Sequence, residues 1–382
     1  LIDAMKSRGI SVYADIVLNH MANEYQSRGW DLSYPGAAVL SDYANRWDYY
    51  QSQKLYNSDG DDLDKNFLGS GDFHDRQVIH DYNNTGQVQY GWLGAAGDNN
   101  NISDFGLPDL NDNSWVVSQQ QQYLKALKAM GIKGFRIDAA KHMTEAQIKA
   151  IFTPEIIQGM YVFGEIISGN KSASDYHFLS DYLSQNPEHN AYDFPLFTII
   201  KNTFSFSGKM SDLSDPDGLN KFRALTFVVT HDIPNNDIFR GNIMDPTDEK
   251  LGYAYILGRD GGVPMVYSDH GESNASHPED NSRWVNYYNR SDIKAMIRFH
   301  NSVQGQPMTV VKASDCILLF RRGDQGLVGI NKCGTAESGW VSGLDSNKGY
   351  QETLDDSTFY TDGNGGVNVT IPARSSRMWL EQ

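Results

Sequence analysis

A chain of 382 residues with 40% hydrophobic and 21% charged residues is globular in make-up, with room for one large and one smaller domain or two to three average ones. Its formal net charge of −16 argues against nucleic acid or an anionic membrane as partner, since both ask for basic patches, and suits a protein acting on something neutral. No apolar run approaches the roughly 18 residues of a membrane span, and two cysteines, Cys316 and Cys333, are too few for a disulfide scaffold and lack zinc-finger spacing.

The chain opens on LIDAMKSRGI, which reads as the tail of an amphipathic helix and lacks an initiator Met, so the absence of a visible signal peptide says little. Residues 12–18 (VYADIVL) form a near-continuous apolar run, expected to be a buried strand. Residues 21–110 break the rhythm: they are rich in Asp, Asn, Gly and Tyr, and a stretch that long between strands should be functional or a subdomain. A helix follows, with apolar spacing at Val116, Tyr123, Leu124 and Leu127 and Gly131 as its stop. Strand 132–137, helix 144–152 (TEAQIKAIF), strand 161–163 and helix 176–185 (YHFLSDYLSQ) come next. After them the sequence predicts a weaker strand AYDF, helix 195–204, strand 225–229 (LTFVV), helix 248–258, strand 263–267 (VPMVY) and helix 291–303. Strands separated by helices mean βα units and a parallel sheet. From about Met308 the pattern changes to short strands with Gly/Asp turns, which predicts a terminal antiparallel β domain.

The charged residues fall at strand ends. Asn19 and His20 follow the first strand, Arg136 and Asp138 end GFRID, Glu165 ends FGE, and His231 and Asp232 follow FVVT. In a closed (β/α) barrel the C-terminal ends of the strands form one rim, where such enzymes place their chemistry. Arg136 and Asp138 are two apart, so they project the same way. Aromatic residues reach 12%, which suits flat sugar rings and equally ordinary core filling.

At this point a resemblance is clear. DIVLNH (15–20), GFRIDAAKH (134–142), FGEII (163–167) and FVVTHD (227–232) resemble the four ordered sequence regions of the α-amylase family, glycoside hydrolase family 13, and LPDL (107–110) resembles its fifth. THDIPNND and ILGRDGGVPMVYSDHGE are further similar to secreted bacterial members. The resemblance implies an α/β fold: a (β/α)8 TIM-type barrel with an inserted B domain and a C-terminal antiparallel β-sandwich. Residues 1–20 and 111–305 would be barrel, 21–110 the B domain and 306–382 the sandwich. The first strand here would be the family's third. Six strands are then countable where the family has eight, so two βα units of roughly 60 residues are expected to precede residue 1. With them would go the aromatic residue that stacks on the sugar at the cleavage point.

The same resemblance assigns roles. Cleaving an acetal with retained configuration takes a carboxylate nucleophile and a carboxylic acid that protonates the leaving oxygen. By family match Asp138 is the nucleophile, Glu165 the acid/base and Asp232 the third carboxylate, which holds sugar hydroxyls. Arg136 should keep Asp138 ionised, and the carboxyls around Glu165 should favour its protonated form. His20 and His231 match sugar-hydroxyl contacts, and Lys141 and His142 are expected on the leaving-group side. Asn19, Asp109 and the backbone carbonyl of His142 match the family's calcium site, and an oxygen-only set suits Ca²⁺. The acidic run DGDDLD (59–64) lacks the EF-hand pattern and reads as a solvated loop. Thr230 stands where chloride-binding members carry Asn, so no chloride is expected.

Around GDQG (323–326) the chain folds as a hairpin that pairs Leu319 with Ile330 and brings Cys316 opposite Cys333, so a cross-strand disulfide is expected in an oxidising compartment; the alternative is two buried thiols. The function implied is endo-acting hydrolysis of α-1,4-glucosidic bonds in starch, glycogen and related α-glucans by an extracellular, monomeric protein. The alternatives are an α-glucan transferase, separable by its transfer products, and a non-catalytic carbohydrate-binding relative. Members of that last kind have lost catalytic carboxylates, and here all three are present.

Overall fold

The computed structural model describes residues 1–23, 30–34, 36, 41 and 68–382. The acidic run 59–64 lies outside the described residues. Two compact units divide the chain, the first comprising Leu1–Ser168 and Ala173–Ala191, the second Gly169–Ser172 and Tyr192–Gln382.

In the first unit, strands β1 (Tyr13–Val17), β2 (Gly134–Asp138) and β3 (Tyr161–Gly164) run parallel in chain order, and β3 continues to β4 (Asn190–Tyr192). Tyr13 pairs with Gly134 and Gly134 with Tyr161. The rings of Tyr13 and Tyr161 stack across that glycine with centroids 5.7 Å apart. A Cβ at position 134 would fall 2.5 Å from the Tyr161 carbonyl oxygen and 2.7 Å from Cδ1 of Tyr13, so only glycine fits. β2 is buried as expected of a core strand, with Phe135 and Ile137 fully inaccessible. β1 differs from the expected buried run: Ile16 and Leu18 are inside, whereas Tyr13 and Val17 remain about half exposed. Its residues alternate between two environments, as a strand covered on one face does.

The intervening helices start on side-chain caps. Asn113 accepts from the Val116 N–H ahead of the helix Ser114–Ala129, and Thr144 from Gln147 ahead of Glu145–Ile151. Tyr176–Gln185 follows with Phe178, Leu179 and Tyr182 buried. The opening helix, Ile2–Lys6, buries none of its residues. Between β1 and Ser114 the described residues include isolated bridges, a 3-10 turn at Ser70–Asp72 and a short α-helix, Thr85–Tyr90, with a small core of Tyr34, Leu68, Phe73, Leu110 and Val116. Arg76 fastens this region by donating to the carbonyls of Ala96, Gly97, Asp104 and Phe105.

In the second unit β5 (Ala224–Thr226) pairs parallel with β6 (Val263–Pro264). Both are shorter than the apolar runs 225–229 and 263–267 suggest. Phe227, Val228 and Val229 are buried without extending β5, so hydrophobicity overstates its length, whereas Val263 is half exposed and burial does not account for the second run. The helices Phe194–Phe204, Pro246–Gly258 and Ser291–Ser302 match expectation closely.

From Met308 the chain is all antiparallel. A six-stranded sheet takes β7 (Met308–Ala313), β8 (Ile317–Arg322), β9 (Gly326–Asn331), β11 (Gly349–Glu352), β12 (Thr358–Tyr360) and β14 (Ser375–Glu381) in the order 12-11-14-9-8-7. A two-stranded ribbon pairs β10 (Glu337–Val341) with β13 (Val367–Ile371). Ile317, Leu319, Leu327 and Trp379 from the sheet meet Val341, Val369 and Ile371 from the ribbon in one buried cluster, the packing of a β-sandwich. Arg322 ties this domain to the helices before it. Its guanidinium donates to the carbonyls of Gly258 and Arg259 at 2.7 Å and of Val303 at 3.0 Å, satisfying two helix C-termini. Lys332 does the same for Thr203 and Ser205.

Cys316 and Cys333 form a disulfide, with Cα atoms 5.2 Å apart. The register differs from the expected one by a residue: Leu319 pairs with Gly329 and Leu318 with Ile330. Arg322 faces Gly326, leaving a three-residue loop whose first member, Gly323, has φ +56°. Cys333 lies beyond the last paired residue, and the Asn331 side chain accepts its N–H to bend the chain toward Cys316.

Candidate active site

β2 supplies the centre. Arg136 is buried, at 4% exposure, and points the same way as Asp138 because the two are separated by one residue of strand. Nη1 donates to Asp138 Oδ1 at 2.5 Å and to Asp15 Oδ1 at 2.8 Å, and Nη2 lies 2.7 Å from Glu165 Oε1. Asp15 arrives by register, since it is the parallel-strand partner of Arg136 on β1. Burial by itself disfavours the charge on Arg136, but Glu165, Asp15 and Asp138 together outweigh it and hold its pKa above the ordinary value. A cation thus contacts Glu165 directly.

The turn after Asp138 fixes the second carboxylate. Ala139 is left-handed, with φ 47°, a costly conformation for a residue with a Cβ. Its N–H donates to Glu165 Oε2 at 3.2 Å. The following turn, Ala140–His142, is wholly buried. Lys141 is turned to the protein: Nζ donates to the Ile167 carbonyl at 2.9 Å and lies 3.4 Å from Asp175 Oδ2 and 5.0 Å from the Phe178 ring centre. Burial lowers its pKa against the pull of Asp175. His142 Nδ1 donates to the Val88 carbonyl at 3.0 Å, which leaves Nε2 as an acceptor. Burial pushes its pKa down to about 4, so the ring is neutral. Tyr82 meets it edge-on at 6.1 Å. The pKa of His20 is lowered by burial, opposed by Asp138.

Asn19, His20 and Asp109 come together. His20 bridges Asp109 through the backbone, and the Leu110 N–H donates to the Asn19 carbonyl at 2.8 Å. Asp109 is 2% exposed; Oδ2 lies 2.7 Å from His74 Nδ1, while Oδ1 is buried with no hydrogen-bond partner among the described residues. Burial pushes its pKa up to about 6 against His74 and Asn19. Such an orphaned buried carboxylate oxygen fits a hard cation. The donors expected for Ca²⁺, an amide, a carboxylate and a carbonyl, are of the right chemistry. No group of three or more His, Cys, Asp or Glu side chains among the described residues forms a metal cluster of another kind.

His231 and Asp232 belong to the second unit, with His231 Nε2 3.3 Å from Asp232 Oδ2. They follow the buried segment Phe227–Thr230 rather than the strand itself, and Asp232 opens the short helix Asp232–Asn235. The Asn235 side chain donates back to the His231 carbonyl at 2.8 Å.

Sequence reasoning missed three groups. Asp15 carried a signal, an acid inside an otherwise apolar strand. His74 and Asp175 carried none, because each meets its partner across more than thirty residues of chain.

Residues 1–188 match the family described as "Alpha amylase, catalytic domain". An alpha-amylase of Aeromonas hydrophila is 52% identical over 385 residues, covering 98% of this chain and 80% of that protein. Among solved structures, alpha-amylase I of Eisenia fetida superposes with a TM-score of 0.71 at 19% identity, covering 99% of this chain and 82% of the other. A cyclomaltodextrin glucanotransferase with a three-domain arrangement, CldA, does so at 0.69 with 22% identity, covering 99% and 76%. At these identities the structural likeness speaks for the fold: a TIM-type barrel with a C-terminal β domain.

Proposed function

The chain belongs to the alpha-amylase family of glycoside hydrolases, and from that premise we propose that it cleaves internal α-1,4-glucosidic bonds of starch, glycogen and related α-glucans with retention of configuration. The observation that carries the reading is one buried guanidinium, Arg136, holding Asp138 and Glu165 at the ends of adjacent parallel strands.

In this mechanism Asp138 attacks the anomeric carbon and forms a glycosyl ester, while Glu165 protonates the departing oxygen and then takes a proton from the water that hydrolyses the ester. Arg136 holds the Asp138 carboxylate in place for the attack. It also contacts Glu165, so the acid step asks Glu165 to give up this partner when the sugar enters, with Asp138 keeping the cation. The Ala139 N–H then remains to orient Glu165. Asp232, by motif, holds sugar hydroxyls as positive charge develops at the anomeric centre. His20, His142 and His231 are the proposed substrate contacts, with neutral His142 accepting through Nε2, and Lys141, turned to the Ile167 carbonyl, is proposed to act through the turn it braces.

Asn19, Asp109 and the His142 carbonyl would hold Ca²⁺. When bound, the ion supplies the charge that the buried Asp109 lacks. By the same reading residues 1–20 and 111–305 form the barrel, 21–110 the inserted domain and 306–382 the sandwich. The disulfide supports an extracellular location, and the protein is proposed to act there as a monomer. No helix among the described residues is long and apolar enough to cross a membrane.

Incubation with maltoheptaose, with anomers followed by NMR and products by chromatography, tests the proposal. Early products should carry the α configuration and shorten internally. β-anomers first would refute retention, and dominant transfer products would identify a transferase.

A further inference from the structure

We propose that the outer face of the β10–β13 ribbon, centred on Trp340, is a second binding surface for the α-glucan chain; the identity of the ligand rests on the substrate class given above. Pleating divides the ribbon. Val341, Val369 and Ile371 point into the sandwich core, and Ser338, Trp340, Asn368 and Thr370 alternate with them on the outside. In register, Ser338 faces Thr370 and Trp340 faces Asn368, and the two hydroxyls lie 2.8 Å apart.

An exposed tryptophan alone needs no explanation. This one has a seat. Trp340 is 57% exposed, and its ring rests on the bare backbone of Gly366. A Cβ there would fall 2.4 Å from Cζ2 and 3.1 Å from Cη2 of Trp340, and 3.0 Å from Asp362 Oδ2. Gly366 is not among the residues with positive φ, so its own backbone does not demand glycine; the missing side chain makes room for the indole. Asp362 is fixed in turn, its Oδ1 accepting the N–H groups of Asn364 and Gly366 at 2.8 Å. Trp30, equally exposed, instead packs its ring on Trp92 and Phe105.

The result is a held aromatic plate rimmed by two hydroxyls, an amide and a carboxylate. A glucose residue matches it, with an apolar C–H face to lie on the ring and equatorial hydroxyls to meet the rim. The outward side chains of the ribbon include no cation; the nearby Lys312 ammonium is engaged with the Ser338 carbonyl at 2.6 Å, and the Asp362 carboxylate on the rim disfavours an anionic ligand.

The test uses the full chain and two probes, granular starch for adsorption and a short chromogenic maltooligosaccharide for turnover. Trp340→Ala should weaken adsorption roughly three- to tenfold, the scale of one stacking contact, with turnover of the short probe within about twofold of wild type. Trp340→Phe should recover part of the adsorption and Asn368→Ala should lose part of it. Wild-type adsorption by a folded Trp340→Ala protein overturns the proposal. If that variant does not fold, unchanged adsorption by both Trp340→Phe and Asn368→Ala overturns it equally. Adsorption needs no turnover, so a chain that binds starch without cleaving it would refute the hydrolase reading and leave this one standing.

Discussion

Replacing Arg136 by lysine keeps the charge and removes the fork. The guanidinium reaches three carboxylates through two nitrogens, and a single ammonium cannot hold the same three at 2.5–2.8 Å. The side chain of Asp15 is 48% exposed, so its share is screened and small. Asp138 and Glu165, at 24% and 10%, carry the rest. With the Glu165 contact given up as the sugar enters, the Asp138 contact is the one that bears on the transition state, and a hydrogen bond to a charged group contributes roughly 1.5–3 kcal/mol. If lysine, lacking the fork, loses that contact, kcat/KM drops roughly 12- to 150-fold. The assay is kcat/KM on maltoheptaose, with circular dichroism to confirm folding. A folded Arg136→Lys protein with wild-type kcat/KM would refute the role given to this residue.

Asp138→Asn should reduce hydrolysis of α-1,4-glucan by more than about a thousandfold, with the thermal midpoint little changed; turnover near wild type would remove Asp138 as nucleophile. Excess chelator should lower the thermal midpoint, because an ion bound only to the folded state stabilises it by mass action. The same chelator should leave Asp109→Asn almost unaffected, and an equal drop in both proteins would place the ion elsewhere. His300, whose Nδ1 lies 3.1 Å from the Leu257 carbonyl, has its pKa lowered by burial. The unfolded chain therefore takes up this proton first, and stability that is full above the unfolded value of about 6.5 is lost as pH falls below it. His300→Gln should flatten that part of the urea-midpoint profile between pH 7 and 5, and an identical slope in both proteins would contradict it. Removing the Cys316–Cys333 bridge, which spans 17 residues, should cost about 3 kcal/mol by loop entropy; urea denaturation of the double serine variant reads this directly.

What could be read from the sequence follows the range of the forces involved. The helix Tyr176–Gln185 appears where its apolar spacing put it, because caps and periodicity are local. Strands are decided by distant partners, so the runs 225–229 and 263–267 keep only two paired residues each. The β8–β9 hairpin slipped by one residue because GDQG alone does not say whether the loop holds two residues or three. At the site, Arg136 and Asp138 were visible through strand alternation. The Asp15–Arg136 contact required the register of two parallel strands 121 residues apart, and His74 reaches Asp109 across 35.

Those long-range contacts also explain why so much charge can end a core strand. A buried arginine is tolerable only if anions meet it, and here β1, β2 and the turn after β3 each deliver one. The same convergence orients Asp138 and Glu165 in the free protein, so the ion cluster that makes Arg136 affordable also sets the geometry of the proposed reacting pair. Ala139 completes it: the left-handed turn aims an N–H at Glu165 and carries the chain into a buried Lys141–His142 turn. Backbone strain at this residue is held in place by contacts on both sides, the Glu165 carboxylate on one and the buried turn on the other. The strand that carries Arg136 and the turn that follows it thus position both proposed reacting carboxylates, which is why they stand at strand ends rather than on a free loop.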